Sequence, residues 1–322
     1  MYFTPTMYAS LDSIIEDYTD EASDLLENAL GPLHSYAGKA SAFIKWVLAR
    51  GYVLSGGYYT GEIRQWAEAL GVSESDIIAA NVSYELAQAG QFLSTKFPSI
   101  GCTSVVLDNP SLGLVHVRNL DWDLDGMGTT TVVRLLERAD GEAVAVTNPG
   151  FVGALSGMVP GDFSVSMNWV PPTSRPRFAF GPAFLLRWVL ENAKDFDDAV
   201  AYLSGTPLSS SVLFTVCGTD NACVIERSCK ESDIRWYDGE PLAVTNHYMS
   251  EMFEEHNSED EFVEYSAERH AEAVRAARKF KGRKLEGLFK ILSGPECLND
   301  ITVQQMVFAP AEADYSVRSY GI

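Results

Sequence analysis

Apolar residues recur every three or four positions through residues 11–98, in LDSIIEDYTDEASDLLENAL, then SAFIKWVLARGY, then TGEIRQWAEALGVSESDIIAANVSYELAQAGQFL. That spacing puts one apolar stripe on each of several helices. Ser73 stands three residues before Asp76, a capping-box pair that predicts a helix starting at Glu74. Everything ahead of Cys102 therefore reads as helical. After residue 102 the period shortens: TSVVLD, LVHVRNLDW, TTTVVRLLER, AVAVTN and DFSVSMNWV are β-branched runs separated by Gly, Asn, Asp and Pro, the pattern of strands joined by turns. A helical stretch follows at GPAFLLRWVLENAKDFDDAVAYLSG. SVLFTVCGTD and ACVIERS then form a predicted hairpin, and AVTN a further strand. Residues 265–293 return to helical spacing, and ITVQQMVFAP is the last predicted strand before a polar turn and DYSVRSYGI.

Runs of strands alternating with runs of helices, without regular βαβ units, predict an α+β fold of layered antiparallel sheets with helices outside. The chain has no internal repeat, low-complexity tract or flexible linker. Its sharpest boundary is Ile100-Gly101-Cys102, which divides a helical segment, 1–101, from a strand-rich one, 102–322.

Composition narrows the function classes. A chain of 322 residues with 46% hydrophobic content can bury a large core. A formal charge of −20 repels phosphate backbones, so no nucleic-acid partner is expected. The acidic run 251–264 reads as a solvated face. No stretch reaches the roughly 18 apolar residues of a membrane helix, and the opening MYFTPTMYASLDSIIEDY lacks the basic flank and apolar run of a secretory signal. A cytoplasmic protein without membrane insertion is the expectation. The five cysteines include no CxxC pair and no His at ligand spacing, which gives no support to a zinc site. No cofactor is expected. Cys217 and Cys223 flank GTDNA and read as buried thiols beside a hairpin turn.

Cys102 carries the sharpest chemical possibility. It opens a strand directly after Gly101, and a glycine presents an open carbonyl that the thiol can attack. Breaking that bond would create an α-amine of ordinary pKa near 8, able to take the thiol proton and return it to a leaving amine. On its own, a cysteine at a strand start is a packing residue. Arg118 and Asp121, three apart in HVRNLDW, add a group that favours thiolate and one that orients an ammonium; the bland alternative is a surface ion pair. Asn168 in SVSMNW and Asn246 in AVTNHY carry amides of the kind an oxyanion requires, although asparagine at a strand end is commonly a turn residue. Arg269 would otherwise be an exposed helix charge.

Together, CTSVVLD…HVRNLDW, GFVGALSGMVPGDFSVSMNW, AVTNHY, SAERHAEA and TVQQMVFAP resemble the choloylglycine hydrolase family, and YTGEIRQWAEALGVSESDIIAANVSYEL is similar to the α-subunit of its acid ceramidase and acid amidase branch. The resemblance covers about residues 58–313 in patches. It implies a four-layer αββα N-terminal-nucleophile sandwich, self-cleavage between Gly101 and Cys102, and an N-terminal fragment that stays bound as a partner chain. By the same resemblance Cys102 is nucleophile and base, Arg118 and Asp121 position it, Asn168 and Asn246 serve the oxyanion and α-amine, and Arg269 completes the site. A small-molecule N-acyl amide is the implied substrate. Trp122, Phe151, Met158 and Trp169 neighbour the motifs and are candidates to line its acyl pocket, with core packing the alternative. Homo-oligomerisation is left open.

The sequence departs from the pattern at His247, in the acidic 251–264 insertion and over the first 57 residues, which align with nothing in the family. Rival chemistries have weaker support: the CG[SA]C[WY] signature of papain-like proteases is absent despite five histidines, and residues 153–157 read GALSG rather than GxSxG. An acyltransferase of the penicillin-biosynthesis type, or a silent binding scaffold, are the remaining readings. Asn81-Val82-Ser83 fits a glycosylation sequon but falls in a predicted helix.

Overall fold

The computed structural model describes residues 1–91 and 100–321. The predicted helical end at Phe92 and Leu93 and the Pro98-Ser99 approach to the boundary lie outside those residues. The N-terminal segment is not wholly helical. It opens with two short strands, β1 (Tyr2–Phe3) and β2 (Met7–Tyr8), each two residues long and too brief to show a period. Five helices follow: α1 (Leu11–Ala37), α2 (Ser41–Leu54), α3 (Thr60–Leu70), α4 (Glu74–Asn81) and α5 (Ser83–Gln91). Helix α4 starts at Glu74 because Ser73 Oγ accepts the Asp76 N–H at 3.3 Å while Asp76 Oδ2 accepts the Ser73 N–H at 3.1 Å. The apolar stripes of α1, α3 and α4 meet in one cluster around Ile14, Leu30, Ile63, Trp66 and Ile77.

The rest of the chain supplies β3 (Ile100–Asn109), β4 (Gly113–Trp122), β5 (Val132–Arg138), β6 (Gly141–Thr147), β7 (Ser156–Val159) and β8 (Phe163–Asn168). After these come α6 (Pro182–Asn192), α7 (Phe196–Gly205), β9 (Val212–Cys217), β10 (Ala222–Arg227), β11 (Ser232–Trp236) and β12 (Leu242–Val244). The chain closes with α8 (Glu261–Lys279), α9 (Leu285–Leu288), β13 (Thr302–Ala309) and β14 (Asp314–Tyr320). One sheet runs β1-β14-β13-β4-β3-β12; the other runs β11-β10-β9-β8-β7-β6-β5-β2. Strand β2 joins β5 in parallel, whereas the long central hairpins are antiparallel.

Helices α8 and α9 cover the outer face of the six-stranded sheet, burying Ala273, Ala277, Leu288 and Phe289 against Val105, Val117 and Val307. Helix α6 buries Leu186, Val189 and Leu190 among the strands of the other sheet. The four layers are therefore αββα, as expected. Helices α1 to α4 share their cluster with Val132, Val152 and Phe184, whereas α5 buries Tyr84 and Ala87 in the main core. Glu62 of α3 adds a charged tie there, bonding Arg134 of β5 and reaching Arg187 of α6 at 2.8 Å.

Besides β1 and β2, three strands were not predicted: β7 (SGMV), β11 (SDIRW) and β14 (DYSVRSY). The first is small and glycine-bearing, the second is short with only Ile234 and Trp236 apolar, and the third is an inner neighbour of β1 whose polar residues mask its alternation. Cys217 and Cys223 lie on the β9–β10 hairpin as buried free thiols, and burial pushes the Cys223 thiol up to about 12. The sequon residue Asn81 is buried, its Nδ2 donating to the carbonyls of Ile77 and Gly150 at 3.0 and 2.9 Å. No helix among the described residues is long and apolar enough to cross a membrane.

Candidate active site

Register explains why the site residues converge. In the β3–β4 hairpin Gly101 pairs with Asp121, Cys102 with Leu120 and Ser104 with Arg118. Side chains alternate across a strand, so Cys102, Arg118 and Leu120 face the opposing sheet while Asp121, Thr103 and Asn119 face α8. Arg118 and Asp121 are thus on opposite faces of one strand. They are both buried, at 0% and 1% exposure, which rules out a surface ion pair between them.

On the inner face Arg118 crosses to the eight-stranded sheet. Its Nη1 bonds the Leu155 carbonyl and Ser156 Oγ, and its Nη2 donates to the Met167 carbonyl at 2.6 Å. With the guanidinium so anchored, Nη2 also reaches Cys102 Sγ at 3.4 Å. The positive charge is held beside the sulfur by three oxygens of the opposite sheet.

On the outer face Arg269 projects from α8, buried at 1% exposure. Its Nη1 donates to the Cys102 carbonyl at 2.8 Å and to Thr103 Oγ1 at 3.0 Å; its Nη2 donates to Asn246 Oδ1 at 2.6 Å. The same Asn246 oxygen accepts the Cys102 N–H at 3.0 Å, and Asn246 Nδ2 donates to the Trp169 carbonyl at 2.6 Å. Ser266, one turn before Arg269 on α8, accepts the Asn246 N–H at 2.7 Å. Helix α8 therefore grips Asn246 by both backbone and side chain. Asp121 Oδ2 lies 3.9 Å from Arg269 Nη1. Burial raises the Asp121 carboxyl above its ordinary range, with Arg269 and the hydroxyl and amide of Thr302 and Asn299 opposing that rise. A side chain at Gly101 would press on Asp121: a Cβ there would stand 3.1 Å from its Oδ2. Glycine at this position lets the strand lie directly on the carboxylate.

Three sequence candidates land elsewhere. Asn168 directs its amide hydrogens at the carbonyls of Val244 and Thr245, at 3.3 and 3.0 Å, and accepts from Ser104 Oγ at 3.2 Å. It fastens β8 to the end of β12, just before Asn246, and is not aimed at Cys102. Met158 is fully buried opposite Val144 and Ser164 in the core. Trp169 packs edge-on against Phe262, and its buried indole N–H has no partner among the described residues. Trp122 and Phe151, by contrast, line a mainly apolar cavity of about 60 Å³, closed from the other side by Leu25 and Leu26 of α1 and Ile77 and Ala80 of α4. Both segments of the chain thus wall it.

Sequence reasoning missed Ser266, Thr302 and Asn299, polar residues of common type whose importance lies only in what they touch. Among the described residues no group of three or more His, Cys, Asp or Glu is placed to hold a metal ion.

Fold and relatives define the class, an αββα sandwich with the N-terminal-nucleophile hydrolase fold. The chain belongs to the acyl-coenzyme A:6-aminopenicillanic acid acyl-transferase family, whose model matches residues 113–301. That span holds Arg118, Asp121, Asn168, Asn246 and Arg269 and begins after Cys102. The N-acylethanolamine-hydrolyzing acid amidase of Caenorhabditis elegans is 26% identical over 282 residues, 80% of this chain and 76% of that protein. The acid ceramidase of Heterocephalus glaber is 27% identical over 221 residues, 56% of this chain and 52% of that one. Among solved structures, a Caenorhabditis elegans N-acylethanolamine-hydrolyzing acid amidase ortholog superposes with a TM-score of 0.56 at 25% identity, covering 68% of this chain and 100% of its own. A mutant conjugated bile acid hydrolase from Clostridium perfringens shares the fold, with a TM-score of 0.50 at 11% identity over 68% of this chain and 89% of that one.

Proposed function

We propose that this chain cuts its own Gly101-Cys102 bond and then hydrolyses N-acyl amides through a thioester on Cys102. One observation carries the reading: the nitrogen, carbonyl oxygen and sulfur of Cys102 are each held by a different buried side chain, Asn246, Arg269 and Arg118. A packing cysteine needs none of these. In the first step the thiol adds to the Gly101 carbonyl, the peptide nitrogen departs as the Cys102 α-amine, and water hydrolyses the resulting thioester to a Gly101 carboxylate. In turnover the amine takes the thiol proton, sulfur attacks the substrate carbonyl, and the proton passes to the departing amine. Water, activated by the same amine, then releases the acid.

The amine that results already faces Asn246 Oδ1, which accepts its N–H in the uncut chain. The substrate class follows from the relatives, an N-acylethanolamine amidase and an acid ceramidase; the cavity beside Trp122 and Phe151 adds only that its lining is mainly apolar.

Denaturing electrophoresis and intact mass test the cut. Fragments of 101 and 221 residues are expected, with Cys102→Ala remaining whole and Cys102→Ser slowed in or devoid of both cleavage and turnover. Cleavage at the same bond in Cys102→Ala, or full amidase activity in uncut protein, would defeat the proposal. Acyl transfer to an amine is a second reading, favoured by the description of the matching family model. Adding an amine acceptor to the assay separates the two, because a transferase diverts acyl groups to it at the expense of the free acid.

A further inference from the structure

The turn leading into β13 lies against Asp121. Thr302 stands directly opposite Asp121 in the sheet, and the register shifts between Thr302 and Gln304, a bulge that re-aims the strand end. Thr302 Oγ1 donates to Asp121 Oδ1 at 2.7 Å, and Asn299 Nδ2 donates to Asp121 Oδ2 at 3.3 Å. Each carboxylate oxygen therefore has its own neutral donor.

The turn fixes which way both donors point. The Asn299 N–H donates to Thr302 Oγ1 at 3.0 Å, so the hydroxyl's own hydrogen is directed at the carboxylate. The Ile301 N–H donates to Asn299 Oδ1 at 3.0 Å. Flipping that amide would set its NH2 against an N–H and its oxygen against a carboxylate, two repulsions at once. A backbone bond from Thr302 N to the Asn299 carbonyl at 3.1 Å closes the turn, and one from Trp122 N to the Ile301 carbonyl at 2.8 Å straps it to β4. Asn299 Nδ2 also lies 3.4 Å from Tyr265 Oη, whose ring sits 5.0 Å from the Arg269 guanidinium carbon. The turn thus abuts both charged groups on the outer face of the site.

We propose that Asn299 and Thr302 are positioning residues that orient the Asp121 carboxylate toward the Gly101–Cys102 backbone and hold it ionised in its buried place. This rests on the proposed cysteine chemistry, in which an ionised Asp121 steadies the α-ammonium. The charged and titratable groups around Asp121 are Arg269 and the Tyr265 phenol of α8, Arg118 of its own strand and the Cys297 thiol ahead of the turn. Among the described residues only Arg269 approaches within ion-pair distance, at 3.9 Å. The two neutral donors are therefore the direct hydrogen bonds to the carboxylate among the described residues.

Thr302→Val removes the hydroxyl and keeps the shape, Thr302→Ser does the reverse, and Asn299→Leu removes the second donor independently. Two readouts apply. Carboxyl-carbon NMR titration of Asp121, assigned by the resonance lost in Asp121→Asn, needs no activity. The acidic limb of the kcat/KM–pH profile reads the same group in action. A lost hydrogen bond to an ionised acceptor moves both upward by about one pH unit in Thr302→Val, and by a smaller amount in the same direction in Asn299→Leu. Thr302→Ser returns both to wild type. An unmoved Asp121 midpoint in Thr302→Val and Asn299→Leu overturns the proposal, as does a Thr302→Ser enzyme as impaired as Thr302→Val, since the methyl would then be what matters. If the Asp121 midpoint moves as expected while wild-type protein neither cuts itself nor hydrolyses amides, the positioning role stands and the proposed function falls.

Discussion

Arg269 gathers more of the site than any other single side chain, with hydrogen bonds to Cys102, Thr103 and Asn246 and Asp121 within ion-pair reach. Replacing it with Met leaves a buried carboxylate without its cation. Breaking a buried pair from one side costs about 3–5 kcal/mol, so denaturant unfolding of Arg269→Met is expected to show a loss of that size, together with loss of self-cleavage on a gel. Ala80 allows a finer test, since it lines the cavity beside Phe151. Ala80→Leu is expected to lower kcat/KM for long acyl chains by roughly tenfold while sparing short ones, the effect of one or two methylenes in an apolar pocket. Equal loss for all chain lengths would place the acyl group elsewhere. The Cys102, Arg118 and Asp121 offsets were legible in the sequence because a hairpin with fixed register converts spacing into proximity. Asn168 was not, because its amide is spent on the carbonyls of Val244 and Thr245, and no sequence pattern records which way an amide points.

At the scale of elements, the helix starts and the long apolar strands could be read directly. The Ser73–Asp76 capping box set the start of α4, and because Ser73 is exposed its removal is a clean probe. Ser73→Ala is expected to lower unfolding stability by about 1 kcal/mol, with a small further effect on acyl selectivity since Ile77 and Ala80 of α4 wall the cavity. What escaped were elements whose role is set by neighbours. SDIRW is a strand because β10 pairs with it, and DYSVRSY because it lies between β13 and β1. In each the core face carries only two apolar side chains, Ile234 and Trp236 or Tyr315 and Val317, too few to mark a period.

Across the whole molecule, acid sensitivity is built into the sandwich interior. His116 is fully buried between the sheets with Ser164 and Ser166 at its ring nitrogens, and burial, helped by the nearby Arg118 charge, lowers its pKa to about 3. The folded protein keeps this imidazole neutral while the unfolded chain protonates it near 6.5. Its contribution is therefore complete above about pH 6.5 and is lost as pH falls toward 3. His116→Asn is expected to flatten the fall of denaturation midpoint with acid over that window. A slope equal to that of the parent would show that other groups govern it.

The two short strands ahead of α1 have a thermodynamic consequence. Strand β1 edges one sheet and β2 the other, and Glu62 ties the same segment to Arg134 and Arg187. Should Gly101 and Cys102 part, these contacts become contacts between two molecules, and folding becomes second order. The melting temperature of cut protein is then expected to fall on dilution, as mass action requires, while that of Cys102→Ala stays constant. Maturation would exchange a stability fixed by sequence for one that depends on how much protein is present.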